Sequence, residues 1–427
     1  MERSVRAVVS RQVVPIAAGV LALVSMALVP PSAGYLDYID VRTLCILFCL
    51  MAVVAGISSC GAFEALAHRV LEGRRGTGVL CLLLVLLPTA CSVFITNDVA
   101  LLTFVPFAVA VLGGAGRRDL MVPVIVLQTL GANAGSMATP FGNPQNLFIS
   151  SVYGLGFWDV VLTVLPIVVA GVAVVCVLAF IQKGDEVHVD FEEPARVRDR
   201  GILAVMCVLF VLCIAAVLRW IPYQVVLVVV LIAVLVLRRS ALLRVDYGLL
   251  LTFVFLFVFV GNVSQVDAVR EALEGLMSWS PVLASAGLSQ IVSNVPAAVT
   301  LSGFTADWQG LLIGTNIGGF GTPIASMASI ISLRIYSGTE GADTRRFLVV
   351  FTAANVLMMI ILVPIGLAVH GLRRRVAVGL LVQPADLVRV LQIPDLGVPA
   401  LPGDPALDER LEVGRRLGGV DDQILVE

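Results

Sequence analysis

At 427 residues, with 59% hydrophobic and 14% charged side chains and a mean hydropathy of +1.01, the chain carries more apolar surface than one aqueous core can bury, so lipid must cover it. The net charge of −2, with basic residues in short clusters between apolar runs, argues against a nucleic-acid or polyanion partner. Eight cysteines (Cys45, Cys49, Cys60, Cys81, Cys91, Cys176, Cys207, Cys213) lie in or beside apolar runs with no CxxC or Cys/His cluster, and His68, His188 and His370 are scattered, so no metal centre or triad is expected.

In chain order, Arg3, Arg6 and Arg11 precede an apolar run near 12–30 that ends in Pro-Pro-Ser-Ala. The outline is that of a secretory leader, yet further runs of spanning length near 41–58, 157–181, 201–218, 222–237, 247–261 and 347–369 favour a retained first span. Two intervening stretches, 77–153 and 281–335, are apolar but interrupted by Gly, Pro, Asn, Ser and Thr. Backbone without helical bonds persists at membrane depth only where it is buried in protein or lines a cavity, so ligands are expected there. Short charged pieces precede both stretches, Ala62 to Glu72 and Val266 to Leu276, and suit helices lying in the interface.

The order repeats. Asp40 and Asp246 each open an apolar run that leads to the amphipathic piece and then the broken stretch. Thr96-Asn97-Asp98 corresponds to Ser293-Asn294-Val295. Gly131-Ala132-Asn133-Ala134-Gly135 through Thr139-Pro140 corresponds to Gly314-Thr315-Asn316-Ile317-Gly318 through Thr322-Pro323. The Asn-to-Asn separations, 133 − 97 = 36 and 316 − 294 = 22, differ by loop length. The expected division is an N-terminal span and loop (1–38), a first transporter repeat (39–182), a cytoplasmic linker (183–200), a second repeat with one extra span (201–370) and a polar tail (371–427).

With Arg3, Arg6 and Arg11 inside, Arg69, Arg74, Arg75, Arg117, Arg118, Arg238, Arg239 and Arg244 mark the same side if 77–112 is a re-entrant hairpin. The second repeat is then inverted, and Arg373-Arg374-Arg375 falls on the other side, against the charge rule. The expected fold is an all-α integral membrane protein of two inverted-topology repeats, with re-entrant hairpins and broken transmembrane helices.

Asn side chains at helix breaks offer an acceptor and a donor together, and four recur at matched places: Asn97, Asn294, Asn133 and Asn316. A half-helix beginning there presents a positive dipole end to a carboxylate or oxyanion, and Pro296 fits the first turn of such a helix. Carbonyls freed around Gly131, Gly135, Gly314, Gly318, Gly319 and Gly321 are expected to suit Na⁺. A lone Asn or small-residue pair would more often be helix packing, and the duplication favours binding. Asp98 is an ionisable group in an apolar stretch whose counterpart is Val295, which admits a proton or cation site, or a solvated cap. Asn143, Gln145 and Asn146 are replaced in the second half by Ala325, Ser326 and Ala328, so substrate contacts are expected to lean toward the first.

The motifs Ile-Thr-Asn-Asp-Val-Ala-Leu-Leu-Thr-Phe-Val-Pro at 95–106, Ser-Asn-Val-Pro-Ala at 293–297 and Gly-Thr-Asn-Ile-Gly-Gly-Phe-Gly-Thr-Pro at 314–323 resemble the ion transporter superfamily. It includes citrate and divalent-anion/sodium symporters, arsenite permeases and some sodium/proton antiporters. The resemblance spans about residues 12–370. It implies that Thr96, Asn97, Ser293 and Asn294 stand where a Ser-Asn-Thr signature holds sodium and carboxylate, with Na⁺ near Asn97, Gly135, Asn294 and Gly318. The third position differs in both halves, and the Asn97-Asp98 pair is similar to the arsenite-type branch.

The expected function is a secondary active transporter that moves a small anion, a carboxylate or oxyanion, by alternating access. The coupling ion is Na⁺ or H⁺, and no cofactor is expected. The expected site comprises Thr96, Asn97, Asp98, Asn133, Gly135, Thr139, Asn143, Ser293, Asn294, Asn316, Gly318 and Thr322. The alternatives are Na⁺/H⁺ antiport using Asp98 and arsenite-type efflux. No HExxH, His/Asp or Ser-Lys constellation and no GxxxxGK[ST] loop is present, so neither an intramembrane enzyme nor an ATP-driven pump is expected. The partners are the bilayer and the anion, a homodimer is left open, and the location is a multi-pass cell membrane, the inner one in a bacterium.

Overall fold

The computed structural model describes residues 13–182, 184–189 and 197–381; Arg3, Arg6, Arg11 and 382–427 lie outside them. An N-terminal helix α1 (Val13–Leu28) leads into a short turn at Ala33–Tyr38. Asp40 then caps α2 (Val41–Ser59) by accepting the Thr43 N–H at 3.1 Å. Next come α3 (Ala62–Leu71), α4 (Thr77–Ser92), α5 (Asn97–Gly114), α6 (Met121–Ser136), α7 (Pro144–Val152) and α8 (Phe157–Phe180). Two helices follow, α9 (Arg200–Val217) and α10 (Tyr223–Arg238).

Asp246 repeats the Asp40 cap, accepting Leu249 N–H at 2.9 Å to start α11 (Tyr247–Val263). The series recurs as α12 (Asp267–Trp279), α13 (Pro281–Val292), α14 (Asn294–Ser302), α15 (Trp308–Ile317), α16 (Met327–Ser337) and α17 (Thr344–Leu381). The amphipathic α12 turns 107° from α11, as a helix lying across the membrane surface would. Six helical segments among the described residues are long and apolar enough to cross a bilayer alone: α2, α5, α8, α9, α10 with its following turn, and α17.

Contacts at the helix ends sort into two faces. On the arginine-rich face, Arg117 Nη1 donates to Thr77 Oγ1 at 2.9 Å, so the two feet of the α4–α5 hairpin meet. Arg346 Nη2 reaches Asp119 O at 3.5 Å, bringing the start of α17 to the same face, and Arg198 N donates to Cys60 O at 2.9 Å beyond α2. On the opposite face, Tyr153 Oη donates to Ser302 O and Thr305 O at 3.0 and 2.8 Å, joining the ends of α7 and α14. Asp307 there meets His370 Nε2 at 2.7 Å and Arg374 Nε at 3.8 Å. The first hairpin therefore enters from the arginine-rich face and the second from the other, so the repeats are inverted. Arg374 stands on the face that the arginine count assigned it.

Three features depart from the sequence reading. The linker after α8 carries a strand that the sequence reading did not assign: β2 (Glu186–Val189) pairs antiparallel with β1 (Gly73–Gly76), with Gly73 opposite Val189. Helices α9 and α10, assigned by sequence to the second repeat, pack along α2 of the first, while α1 packs along α11. At the α1–α11 seam Asn262 Nδ2 donates to Ser25 Oγ at 3.0 Å inside apolar surroundings. Residues 371–381, expected to begin the polar tail, continue α17.

Candidate functional site

Each repeat brings two interrupted elements to mid-membrane depth. In the first, the α4–α5 hairpin turns over 93–96 and the α6–α7 helix breaks over 137–143. In the second, α13 and α14 are joined through Ser293 alone, and the α15–α16 helix breaks over 318–326. Ser293 turns the chain with φ +78°, a left-handed conformation uncommon for a residue with a side chain.

The Asn residues tie these ends together. Asn133 Oδ1 accepts from Asn97 Nδ2 at 2.8 Å and from Ser326 Oγ at 3.3 Å, and Asn133 Nδ2 donates to Gly319 O at 3.2 Å. One side chain thus joins the first hairpin tip to the second break. Asn316 returns the link, accepting from Asn143 Nδ2 at 3.1 Å and donating to Asn146 Oδ1 at 2.6 Å. Asn97, Asn133, Asn143, Asn146, Asn294 and Asn316 are all buried. In an apolar bundle each would cost several kcal/mol without such partners.

Both tips share a local device. Asn97 Oδ1 accepts Asp98 N–H at 3.0 Å and Asn294 Oδ1 accepts Val295 N–H at 2.9 Å, so each Asn holds the first N–H after it. Asn294 N donates to Ala325 O at 2.9 Å, pinning the second tip to the second break. Thr139 Oγ1 donates to Val93 O at 2.7 Å, and its counterpart Thr322 Oγ1 donates to Gln290 O at 3.0 Å. Thr96 and Ser293 sit at the starts of α5 and α14 without capping them through their side chains.

The glycines act through close approach. Gly131 and Gly135 lie within α6, and the break begins after them at Met137. A Cβ on Gly135 would stand 2.1 Å from Thr89 O and 2.5 Å from Ser92 Oγ; one on Gly318 would stand 2.5 Å from Ser289 Oγ. These positions let each hairpin arm lie directly on its neighbouring helix. Unwound backbone is confined to 137–143 and 318–326, so the carbonyls nearest the cluster include Met137, Thr139 and Gly319 rather than Gly131.

Four helix starts (Asn97, Pro144, Asn294, Met327) and four helix ends (Ser92, Ser136, Val292, Ile317) meet around this cluster. Starts carry partial positive charge and ends partial negative charge, so the arrangement can receive an anion and a small cation side by side. Asp98, beside Asn97, has Oδ1 buried with no hydrogen-bond partner. The helix starts also correct the register of the asymmetry: Asn143 corresponds to Ser326 and Asn146 to Ser329, not to Ala325 and Ala328. Gln290 escaped the sequence reading, yet its Nε2 donates to Gly318 O at 3.0 Å and Phe320 O at 2.9 Å. A lone Gln one turn before the tip of an apolar helix was the clue.

Inverted repeats, each pairing a re-entrant hairpin with a broken helix around a shared buried polar cluster, define a polytopic membrane transporter. The sequence profile of one such group, described as citrate transporter, matches residues 1–307, and the chain belongs to that family. It is 28% identical over 333 residues to an uncharacterized transporter of Methanocaldococcus jannaschii, covering 76% of this chain and 89% of the relative. It is 30% identical over 306 residues to the inner membrane protein YbiR of Escherichia coli K12, covering 70% of this chain and 80% of that one. A silicon efflux transporter of Oryza sativa subsp. japonica matches at 34% identity over 139 residues, 32% of this chain and 28% of the relative.

Proposed function

We propose that the chain is a secondary active transporter that carries a small anion, a carboxylate or oxyanion, by alternating access coupled to Na⁺ or H⁺. The observation that carries this reading is the cross-repeat amide cluster: Asn97–Asn133–Gly319 and Asn143–Asn316–Asn146 join four half-helix starts at mid-membrane. Thr96, Ser293, Thr139 and Thr322 frame it, with a cation near the broken-helix carbonyls beside Gly135 and Gly318. Membership in a family described as citrate transporters supports a carboxylate. The protein works in the cytoplasmic membrane, with the arginine-rich face inside. The test is uptake into proteoliposomes across carboxylates and oxyanions, with and without Na⁺ and pH gradients. Absence of gradient-dependent flux for every anion would overturn the reading.

A second reading, cation/proton antiport through Asp98, draws on the unpartnered buried Oδ1. Its measurement is dissipation of a preset pH gradient by added Na⁺ without any anion. A response that survives Asp98→Asn removes this reading.

A further inference from the structure

A helix seam leads away from the amide cluster toward each face, and the two seams differ in chemistry. Toward the arginine-rich face, α16 runs outward from the second break and packs on α6; toward the opposite face, α7 runs outward from the first break and packs on α15. The repeat makes these seams counterparts, so residues at equal distance from Asn133 and Asn316 can be compared one by one.

Ser326, Ser329, Ser332 and Tyr336 recur along α16 at helical spacing, and all four are buried. Ser326 Oγ donates to Asn133 Oδ1 at 3.3 Å, inside the cluster. Thr129 Oγ1 of α6 lies 2.7 Å from Ser332 Oγ and 2.8 Å from Ile125 O. Thr129 has one hydroxyl proton for these two acceptors, so the Thr129–Ser332 bond can point either way. Tyr336 Oη accepts Asp343 N–H at 3.0 Å, which ends the row at the turn before α17, on the arginine-rich face. From Ser326 to Tyr336 the row covers about 15 Å of helix.

Ser329 Oγ, in the middle of the row, is buried with no hydrogen-bond partner. A helical serine commonly returns its hydroxyl to the carbonyl four residues back, as Ser289 does to Ser285 O at 2.7 Å. For Ser329 that carbonyl is Ala325 O, which already accepts Asn294 N–H at 2.9 Å and Ser293 Oγ at 3.3 Å. The second hairpin tip thus leaves a hydroxyl unengaged one turn from Ser326 and one turn from Ser332. Buried polar groups in that position are where internal water binds. Gln128, beside Thr129 on α6, is fully buried too, and its Oε1 has no partner.

The opposite seam is aliphatic. The counterparts of Gln128, Thr129 and Ser332 are Leu311, Leu312 and Ile149, all fully buried. The counterpart of Ser329 is Asn146, whose amide is engaged by Met137 O, Thr139 O and Asn316 Nδ2.

We propose that the α6–α16 seam is a one-sided file of water sites that carries protons between the arginine-rich face and the cluster. Each water or hydroxyl takes a proton on a lone pair as it passes its own to the next, so one proton leaves the file for each that enters and no group is consumed. The proton ends on the carboxylate or oxyanion held in the cluster. This last step rests on the proposed function and makes H⁺ the coupling ion.

The experiment uses the full-length chain with its eight native cysteines replaced, in sealed vesicles of known orientation, carrying Ser329→Cys or Ile149→Cys. Ag⁺, a water-sized thiol reagent, is added to one face at a time, and the thiol left unreacted is counted with a maleimide after denaturation. Ser329→Cys is expected to react about tenfold faster from the arginine-rich face than from the other, and Ile149→Cys to resist from both. Adding Ser332→Val is expected to slow the Ser329→Cys reaction about tenfold, whereas Ser332→Thr, which keeps the hydroxyl, preserves it. Equal rates from the two faces, no reaction at Ser329→Cys, or equally fast reaction with a bulky sulfonate reagent overturns the proposal. In proteoliposomes, Ser332→Val is expected to lower the lumenal pH change per anion carried by about tenfold. Anion flux with no pH change, or with a ratio unaltered by Ser332→Val, also overturns it. The silver reaction needs no substrate, so absence of anion flux beside a one-sided silver reaction would reject the transported species and leave the water file standing.

Discussion

The break at 137–143 and the break at 318–326 carry the same Asn, Gly, Thr and Pro pattern, yet they are secured in different ways. The first is sealed and, besides its ties to Val93 and Asn316, is braced from within: Asn146 Nδ2 donates to Met137 O at 3.0 Å and Thr139 O at 3.1 Å, and Thr139 and Asn143 are buried. The second is braced from outside. Gln290 on α13 takes Gly318 O, Phe320 O and Thr322 N–H, and Asn355 on α17 accepts Gly321 N–H at 3.0 Å. Ile324 is 54% exposed there, and Thr322 is exposed as well. Similar sequence therefore yields a rigid seat in one half and a seat that depends on its neighbours in the other.

The sharpest way to break this comparison is a methyl group at the paired glycines. Gly135→Ala drives Cβ against the Thr89 carbonyl, which is backbone, and is expected to cost about 3 kcal/mol or prevent folding. Gly318→Ala meets Ser289 Oγ and Cβ at 2.5 and 2.6 Å and the Gly314 carbonyl at 2.9 Å, a looser approach to backbone, and is expected to cost somewhat less, about 2 kcal/mol. Melting temperatures of the purified variants check the order, and equal losses would mean that the halves are equally rigid. Next in size are the braces. Asn146→Ala takes a donor from the buried Met137 and Thr139 carbonyls and leaves Asn316 Nδ2 with Leu312 O alone, and is expected to cost about 2–4 kcal/mol, while Gln290→Ala lies beside the exposed Thr322 and is expected to cost about 1–2 kcal/mol. The same melts decide it.

Transposing the ionisable difference at the hairpin tips sharpens the comparison further. Asp98→Asn is expected to lower proton-coupled flux by about tenfold while leaving the fold intact, and Val295→Asp in that variant is expected not to restore it. Flux recorded across a series of pH gradients tests this, and recovery by Val295→Asp would make the halves interchangeable. The smallest effect lies at the foot of the second hairpin. Burial raises the Asp307 carboxyl pKa, but the His370 hydrogen bond, the Gly310 N–H and the charges of His370 and Arg374 together hold it below the ordinary value. Its stabilisation is thus present at neutral pH and fades as pH falls through the acid range below the unfolded value of about 3.9. Asp307→Asn keeps a capping oxygen and is expected to cost about 1 kcal/mol at pH 7, with the difference from wild type shrinking as pH falls below the unfolded value of about 3.9. A melt series against pH measures it.

Much of this was legible in the residues. Asp40 and Asp246 before matched apolar runs announced the duplication, and polar, Gly-broken stretches inside apolar sequence marked where helices stop, because lipid forbids unpaired backbone. Asn97, Asn133, Asn143, Asn294 and Asn316 stood out because amides are costly in that setting, and the structure brings all five into one region. What stayed hidden depends on partners distant in sequence. Gly73–Gly76 has no alternating pattern and becomes a strand only because Glu186–Val189 returns to it. Gln290 reads as an isolated polar residue until 318–322 folds over it. Gly131 and Gly135 suggest unwinding, whereas the pressure of Thr89 and Ser92 makes them packing sites, a distinction set by tertiary approach alone.

The single-residue connection at Ser293 has an evolutionary consequence. A hairpin joined by one residue in a left-handed conformation has no slack, so an insertion or deletion there would rotate α14 about its axis and carry Asn294 off Ala325. The 93–96 turn can absorb such a change. Descendants of the ancestral duplication are thus freer to drift in length at the first tip than at the second, and diversity among paralogues should accumulate on that side.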